Sequence, residues 1–234
     1  MKIPFSLLCA GACLFSASAF AASYKVEIQN LTQGIYFAPL LVATHGSDVS
    51  LFQAGMPASA NLQKLAEGAD NSGFITQLTA AGAMPIQNPA DGLLAPGAKV
   101  MVDLGMPDEQ HRQLSIIGMI VPSNDGFVAL HKLALPTVPG TYTYMVNAYD
   151  AGTEANDEIR GGGAPGVPGL PVPPPLEAKV GTGGTGIVGA SIEGFVHIHR
   201  GVIGDTSMVG GSSDLNPATQ RWLNPIGRIT VTVE

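Results

Sequence analysis

Cysteine is almost missing from this chain: Cys9 and Cys13 are the only two among 234 residues, and both fall within the first 21 positions. Beyond those positions there is no thiol, which excludes disulfides, thiolate–zinc sites, cysteine nucleophiles and redox pairs together. Charge is scarce as well. Only 12% of residues are charged, and 18 Asp and Glu stand against 11 Lys and Arg. A formal net charge of −7 offers phosphate no basic face, so nucleic acid is not an expected partner. With 45% hydrophobic residues, the composition is neither that of a charged disordered tail nor that of a coiled coil or helical bundle. After position 21 no apolar run approaches the roughly 20 residues of a membrane-spanning helix.

What the chain has in quantity is turn material, 30 Gly and 18 Pro. Its first 21 residues read as a secretory leader. Lys2 gives a positive start, Phe5 to Phe15 form a short apolar stretch, and Ala19-Phe20-Ala21 is a small-x-small cleavage site. A secreted or periplasmic protein starting near residue 22 is expected, with a single domain over 22–234. Small residues before Cys13 offer a lipid-attachment alternative, but too little apolar sequence precedes them.

Tyr24, Val26 and Ile28 alternate in the period of a strand, as do Val100, Val102 and Leu104. Gln113 to Val121 is a nearly continuous apolar run, the pattern of a strand buried on both faces. Phe127–Leu130, Thr141–Asn147, Gly194–His199 and Arg228–Val233 read as further strands, and Tyr36-Phe37-Ala38-Pro39 as an edge strand. Two short helices interrupt the series. Ser59 is a candidate N-cap ahead of Leu62, Leu65, Ala66 and Ala69. Asn71 or Ser72 would cap a second helix with Phe74, Ile75 and Leu78 inward and Gly82 at its end. The expected fold class is therefore all-β, an antiparallel β-sandwich with one or two inserted helices. The Gly/Pro-rich stretch 161–186 has no element of its own and reads as a surface insertion or a functional loop.

The chemistry concentrates in two segments. Tyr149 to Glu158 carries four acidic residues in a chain sparing with charge, directly after a predicted strand, and Pro122-Ser123-Asn124-Asp125-Gly126 leaves another strand. If the two loops are neighbours, Asp125, Asp150 and Glu154 converge, and three carboxylates at one point need a cation between them. Calcium suits such an irregular all-oxygen set better than magnesium, which demands tight octahedral geometry. A solvated acidic loop is the alternative reading. A second constellation is His197-Ile198-His199, where residues two apart on a strand share a face. Two imidazoles alone make an incomplete zinc or copper site, with Glu193 and Asp205 the nearby acids. Packing is the competing role, and a secreted metalloprotein or metalloenzyme built on this pair is the alternative function. No Gly-x-Ser-x-Gly, phosphate-cradling or His-Glu-x-x-His motif is present. His45, Ser47 and Asp48 are adjacent in sequence, which is not triad geometry. Trp222 reads as a core or edge residue.

The stretch Gly118 to Val128 followed by Tyr149 to Glu154 resembles the spondin domain. Tyr24–Asn30, His45-Gly46-Ser47-Asp48, the helix after Ser59 and Asn224–Val231 follow in matching order. That domain opens F-spondin and related matrix proteins and also occurs alone in secreted bacterial proteins. The resemblance implies a sandwich similar to calcium-dependent membrane-binding domains, with one calcium on Asp125, Asp150 and Glu154. It also implies no enzymatic activity and an extracellular or cell-surface partner. The chain departs from the animal pattern in carrying Glu rather than Asp at 154 and Gly126 where an aromatic residue stands, and it lacks the animal cysteines.

Overall fold

A computed structural model describes residues 22–234, so the expected leader and both cysteines lie outside the described residues. In chain order the elements are β1 (Tyr24–Asn30), β2 (Tyr36–Phe37), β3 (Leu41–His45), α1 (Ala60–Gly68), α2 (Ser72–Ala80), β4 (Ile86–Gln87) and β5 (Lys99–Gly105). They continue with β6 (Gln113–Val121), β7 (Gly126–Ala134), β8 (Gly140–Asp150), β9 (His197–Ile198), α3 (Pro217–Gln220) and β10 (Gly227–Val233). All pairings between named strands are antiparallel, in the order β4-β3-β6-β7-β8-β10-β1-β5, with β2 on β6 and β9 on β8.

The long strand β8 joins two halves of this sheet. Its first part, Gly140 to Val146, pairs with β10, and Asn147 to Asp150 pair with β7. The sheet curls about it so that the halves face one another. Val26, Ile28, Val102, Ile229 and Val231 from one half pack into a single buried cluster with Val42, Leu114, Ile116, Ile120 and Val128 from the other. The result is the expected antiparallel β-sandwich.

A second core explains the unbroken apolar run of β6. Leu41, Ala43, Ile117, Phe127 and Ala129 point to the opposite side of their strands and meet Leu62, Leu65, Phe74 and Leu78 of the helices. Neighbouring residues of β6 thus serve different cores, Ile116 the sandwich and Ile117 the helical layer. The Ser59 hydroxyl caps α1 by accepting from Leu62 N at 3.2 Å. Asn71 is the N-cap residue of α2, one of the two expected, but its side chain makes no capping bond. Asp70 Oδ1 accepts from Ser72 N, while Asn71 donates to Pro39 O. The helix ends at Ala80 with Ala81 as its C-cap, and Gly82 follows in the left-handed conformation with its N–H on Thr79 O at 3.0 Å, closing the helix as expected.

The apolar stretch 34–42 is broken into β2 and β3, because Pro39 has no N–H for a ladder. Between Ala151 and Ile226 regular structure nearly vanishes, leaving a two-residue strand, a short helix and a 3₁₀ turn at Pro174–Leu176. The Gly/Pro stretch is nonetheless no mere insertion, since Leu170, Leu176 and Val180 are buried in the main core. No helix among the described residues is long and apolar enough to cross a membrane.

Leu170→Ala tests whether this irregular stretch carries stability. A buried leucine truncated to alanine costs about 2–5 kcal/mol where the site cannot collapse, and denaturant unfolding should show a loss in that range. A dispensable surface loop would give almost none.

Candidate metal centre

The end of β8 is where three strands meet. Asp150 pairs with Gly126 of β7 on one edge and with His197 of β9 on the other. Directly paired residues project to the same face, so strand register places the Asp150 carboxylate beside the His197 ring. The predicted strand ends at Asn147, which leaves Tyr149 and Asp150 in the following loop. They still belong to β8, and the loop begins at Ala151.

The approach from β6 is a tight turn. Ser123 Oγ donates to Ile120 O at 2.6 Å and accepts from Gly126 N at 3.1 Å. A Cβ at position 126 would lie 2.7 Å from that hydroxyl and 2.9 Å from Ile120 Cγ1. A side chain at 126 would have to displace both of them. The turn delivers Asp125 fully buried, with its Oδ2 accepting from Thr153 N at 2.7 Å and Glu154 N at 3.1 Å. Its Oδ1 is buried with no hydrogen-bond partner. Burial and the nearby Asp150 charge push the Asp125 carboxyl up to about 8.

Asp150 is also buried, with Oδ1 accepting from Gly152 N at 2.8 Å and Oδ2 from Asn156 Nδ2 at 2.7 Å. Burial raises its pKa against those two bonds. Gly152 closes the loop in a left-handed conformation, where any Cβ would run into the Phe195 backbone.

Of the three acids expected from the sequence, Asp125 and Asp150 are neighbours and Glu154 is turned aside. The Glu154 backbone serves Asp125, but its Oε1 accepts from Asn124 Nδ2 at 2.9 Å and from Gly169 N of the Gly/Pro stretch. Burial raises its pKa as well. Among the described residues, the metal-ligating group whose ligand atoms all lie within 4.8 Å of one another is Asp150, Glu193 and His197.

Several participants carry no motif. Asn124 bridges the two loops, donating to Glu154 and Asp157 and accepting from Glu158 N. Glu158, buried, accepts from Ile203 N, Gly204 N and Ser213 Oγ and so ties three distant segments together. Nothing in the sequence signals Glu158 beyond its place in the acidic run. Glu193 could be noticed only for its nearness to the histidine pair.

The remaining histidines are engaged in the fold. His45 sits buried between Gly46 O at 2.8 Å and Ser115 Oγ at 2.8 Å, so it is not turned toward Ser47 or Asp48. His131 Nε2 accepts from Leu51 N, and its ring stacks on Phe52. Trp222 is a buried core residue, with its ring centroid 4.9 Å from that of His199.

No curated protein matches the chain. The family model described as Spondin_N matches residues 12–160, a span that contains Asp125, Asp150 and Glu154 and stops short of Glu193 and His197. That match extends over more than half of the chain, with the paired turns around Asp125 and Asp150 inside it, and the chain belongs to the spondin N-terminal domain family.

Proposed function

We propose that this protein is an exported, non-enzymatic interaction module in which calcium, held at the acidic end of the sheet by Asp125, Asp150 and Glu154, stiffens a surface for an extracellular or cell-surface partner. The observation that carries the reading is Asp125 Oδ1, a buried carboxylate oxygen with no partner, in a group whose charge is disfavoured by burial and by Asp150. A hard divalent cation there would satisfy the free oxygen and relieve the repulsion. Glu154 would complete the set by leaving Gly169 N, so ion uptake would be coupled to the Gly/Pro stretch. The short apolar leader supports export, and family membership supports binding rather than chemistry as the role.

Thermal unfolding in calcium and in chelator tests this. An ion bound only by the folded state adds about 2.7 kcal/mol at one hundred times its Kd, or roughly 5–10 °C for a domain of this size. Asp125→Asn should abolish that shift while unfolding in chelator at pH 8 no earlier than wild type. Coincident curves in calcium and chelator for wild type would defeat the reading.

Stability against pH gives a second test. The Asp125 carboxyl rises from its ordinary 3.8 to about 8 in the fold, so the folded state holds an extra proton between those values. In chelator, stability should therefore fall as pH rises from about 7.5 to 8.5. His45, His131 and His199 are pushed down by burial, the last two to about 4 and about 3, and the unfolded chain protonates them around their ordinary 6.5, so their opposing effect has largely ended by about pH 7.5. Saturating calcium should remove the decline, and Asp125→Asn should remove it without calcium. Denaturant midpoints measured across the interval check both.

A further inference from the structure

On the far side of Asp150 from Asp125 lies a different set of ligands. We propose that Asp150, Glu193 and His197 form a second metal site, selective for a zinc-type divalent transition ion over calcium. The three ligand atoms lie within 4.8 Å of one another, and His197 Nε2 is 3.6 Å from Asp150 Oδ1. Ligands on a tetrahedral ion with bonds of about 2.0 Å sit roughly 3.3 Å apart, so His197 and Asp150 already stand near the spacing required and Glu193 would close the set.

Three observations point to an ion here. His197 Nε2 and Glu193 Oε2 are both buried atoms without a hydrogen-bond partner. The tautomer is set as well. His197 Nδ1 lies 3.0 Å from Ile198 O, which accepts only a proton-bearing nitrogen, so the lone pair is left on Nε2 facing the carboxylates. Asp150 in turn is oriented by Gly152 N and Asn156 Nδ2, and Asn156 also approaches Glu193 Oε1 at 3.5 Å.

His199 has another part. Its Nδ1 accepts from Gly201 N at 3.1 Å, so the neutral ring carries its hydrogen on Nε2, which lies buried, without a partner, 3.9 Å from Asp150 Oδ2. No hydrogen bond joins the two at that distance, so the ring packs beside the carboxylate without orienting it. The site thus has three protein ligands and an open side, where a cavity of about 440 Å³ is lined in part by Asp150, Asn156, Glu193 and His199. Water or a partner's side chain would fill the fourth position, as at open zinc sites. An imidazole among the ligands disfavours calcium, which takes oxygen.

Calorimetric titration of the metal-stripped protein with zinc chloride tests the site. One zinc per chain is expected, and His197→Ala and Glu193→Gln should each weaken it by more than about tenfold, the least that loss of even an outer partner costs. The two sites share Asp150 and are told apart by the ligands they do not share: Asp125→Asn should still take one zinc per chain, and His197→Ala should still gain stability from calcium. In wild type, ¹⁵N NMR of the histidines should place the ion on His197 Nε2 with Nδ1 still protonated, a readout that needs no variant to fold. Equal zinc affinity in wild type, His197→Ala and Glu193→Gln, or an undisturbed His197 Nε2 resonance at saturating zinc, overturns the proposal.

Discussion

The desolvated carboxylate of Asp150 is the constraint on which the rest of this end of the molecule turns. It sits at the last position of the longest strand, with β7 on one edge and β9 on the other. A buried negative charge must be compensated or neutralised. Here compensation is assembled from both sides. Backbone and amide N–H groups come from the following loop and an imidazole sits across the ladder, while the second acid at Asp125 works against them. The same geometry that makes the group costly in isolation makes it suited to cations.

The irregular segment after β8 extends this logic to backbone donors. A chain without a ladder must satisfy its N–H groups another way, and here carboxylates take that role. Glu158 accepts from Ile203 and Gly204, Asp214 from Arg160 and Gly184, and Asp205 from Ser207, Ser212 and Ser213. The few acidic residues of a charge-poor chain are thus spent on holding glycine-rich backbone in place, and Leu170 and Leu176 anchor the same stretch from within.

Where a single periodicity governed burial, the fold was legible in the sequence. β1 and β10 alternate strictly between buried and partly exposed positions because one of their faces is wet, and both read as strands. β6 read as doubly buried because each of its faces serves a core. The candidate site was legible only in part. Asp125 and Asp150 could be brought together from two acidic turns that each follow a strand. The orientation of Glu154 could not, because its partner, Gly169 N, belongs to a stretch without periodicity. The histidine pair was visible as two rings on one face, but their different roles depend on Ile198 O and Gly201 N, backbone groups that no side-chain pattern encodes.

The two ends of the sheet order bear on how the molecule behaves in a crowd of its own kind. At one end β4 is two residues long, too short to template another chain. At the other, β5 runs for seven residues but displays Lys99 and Asp103 on its exposed face, and Lys99 is bonded to Glu27 on the neighbouring strand. Charged side chains and brevity are the usual guards against edge-to-edge growth into fibrils. A chain with no cysteine after position 13 guards both margins of its sheet by these means rather than by a covalent staple.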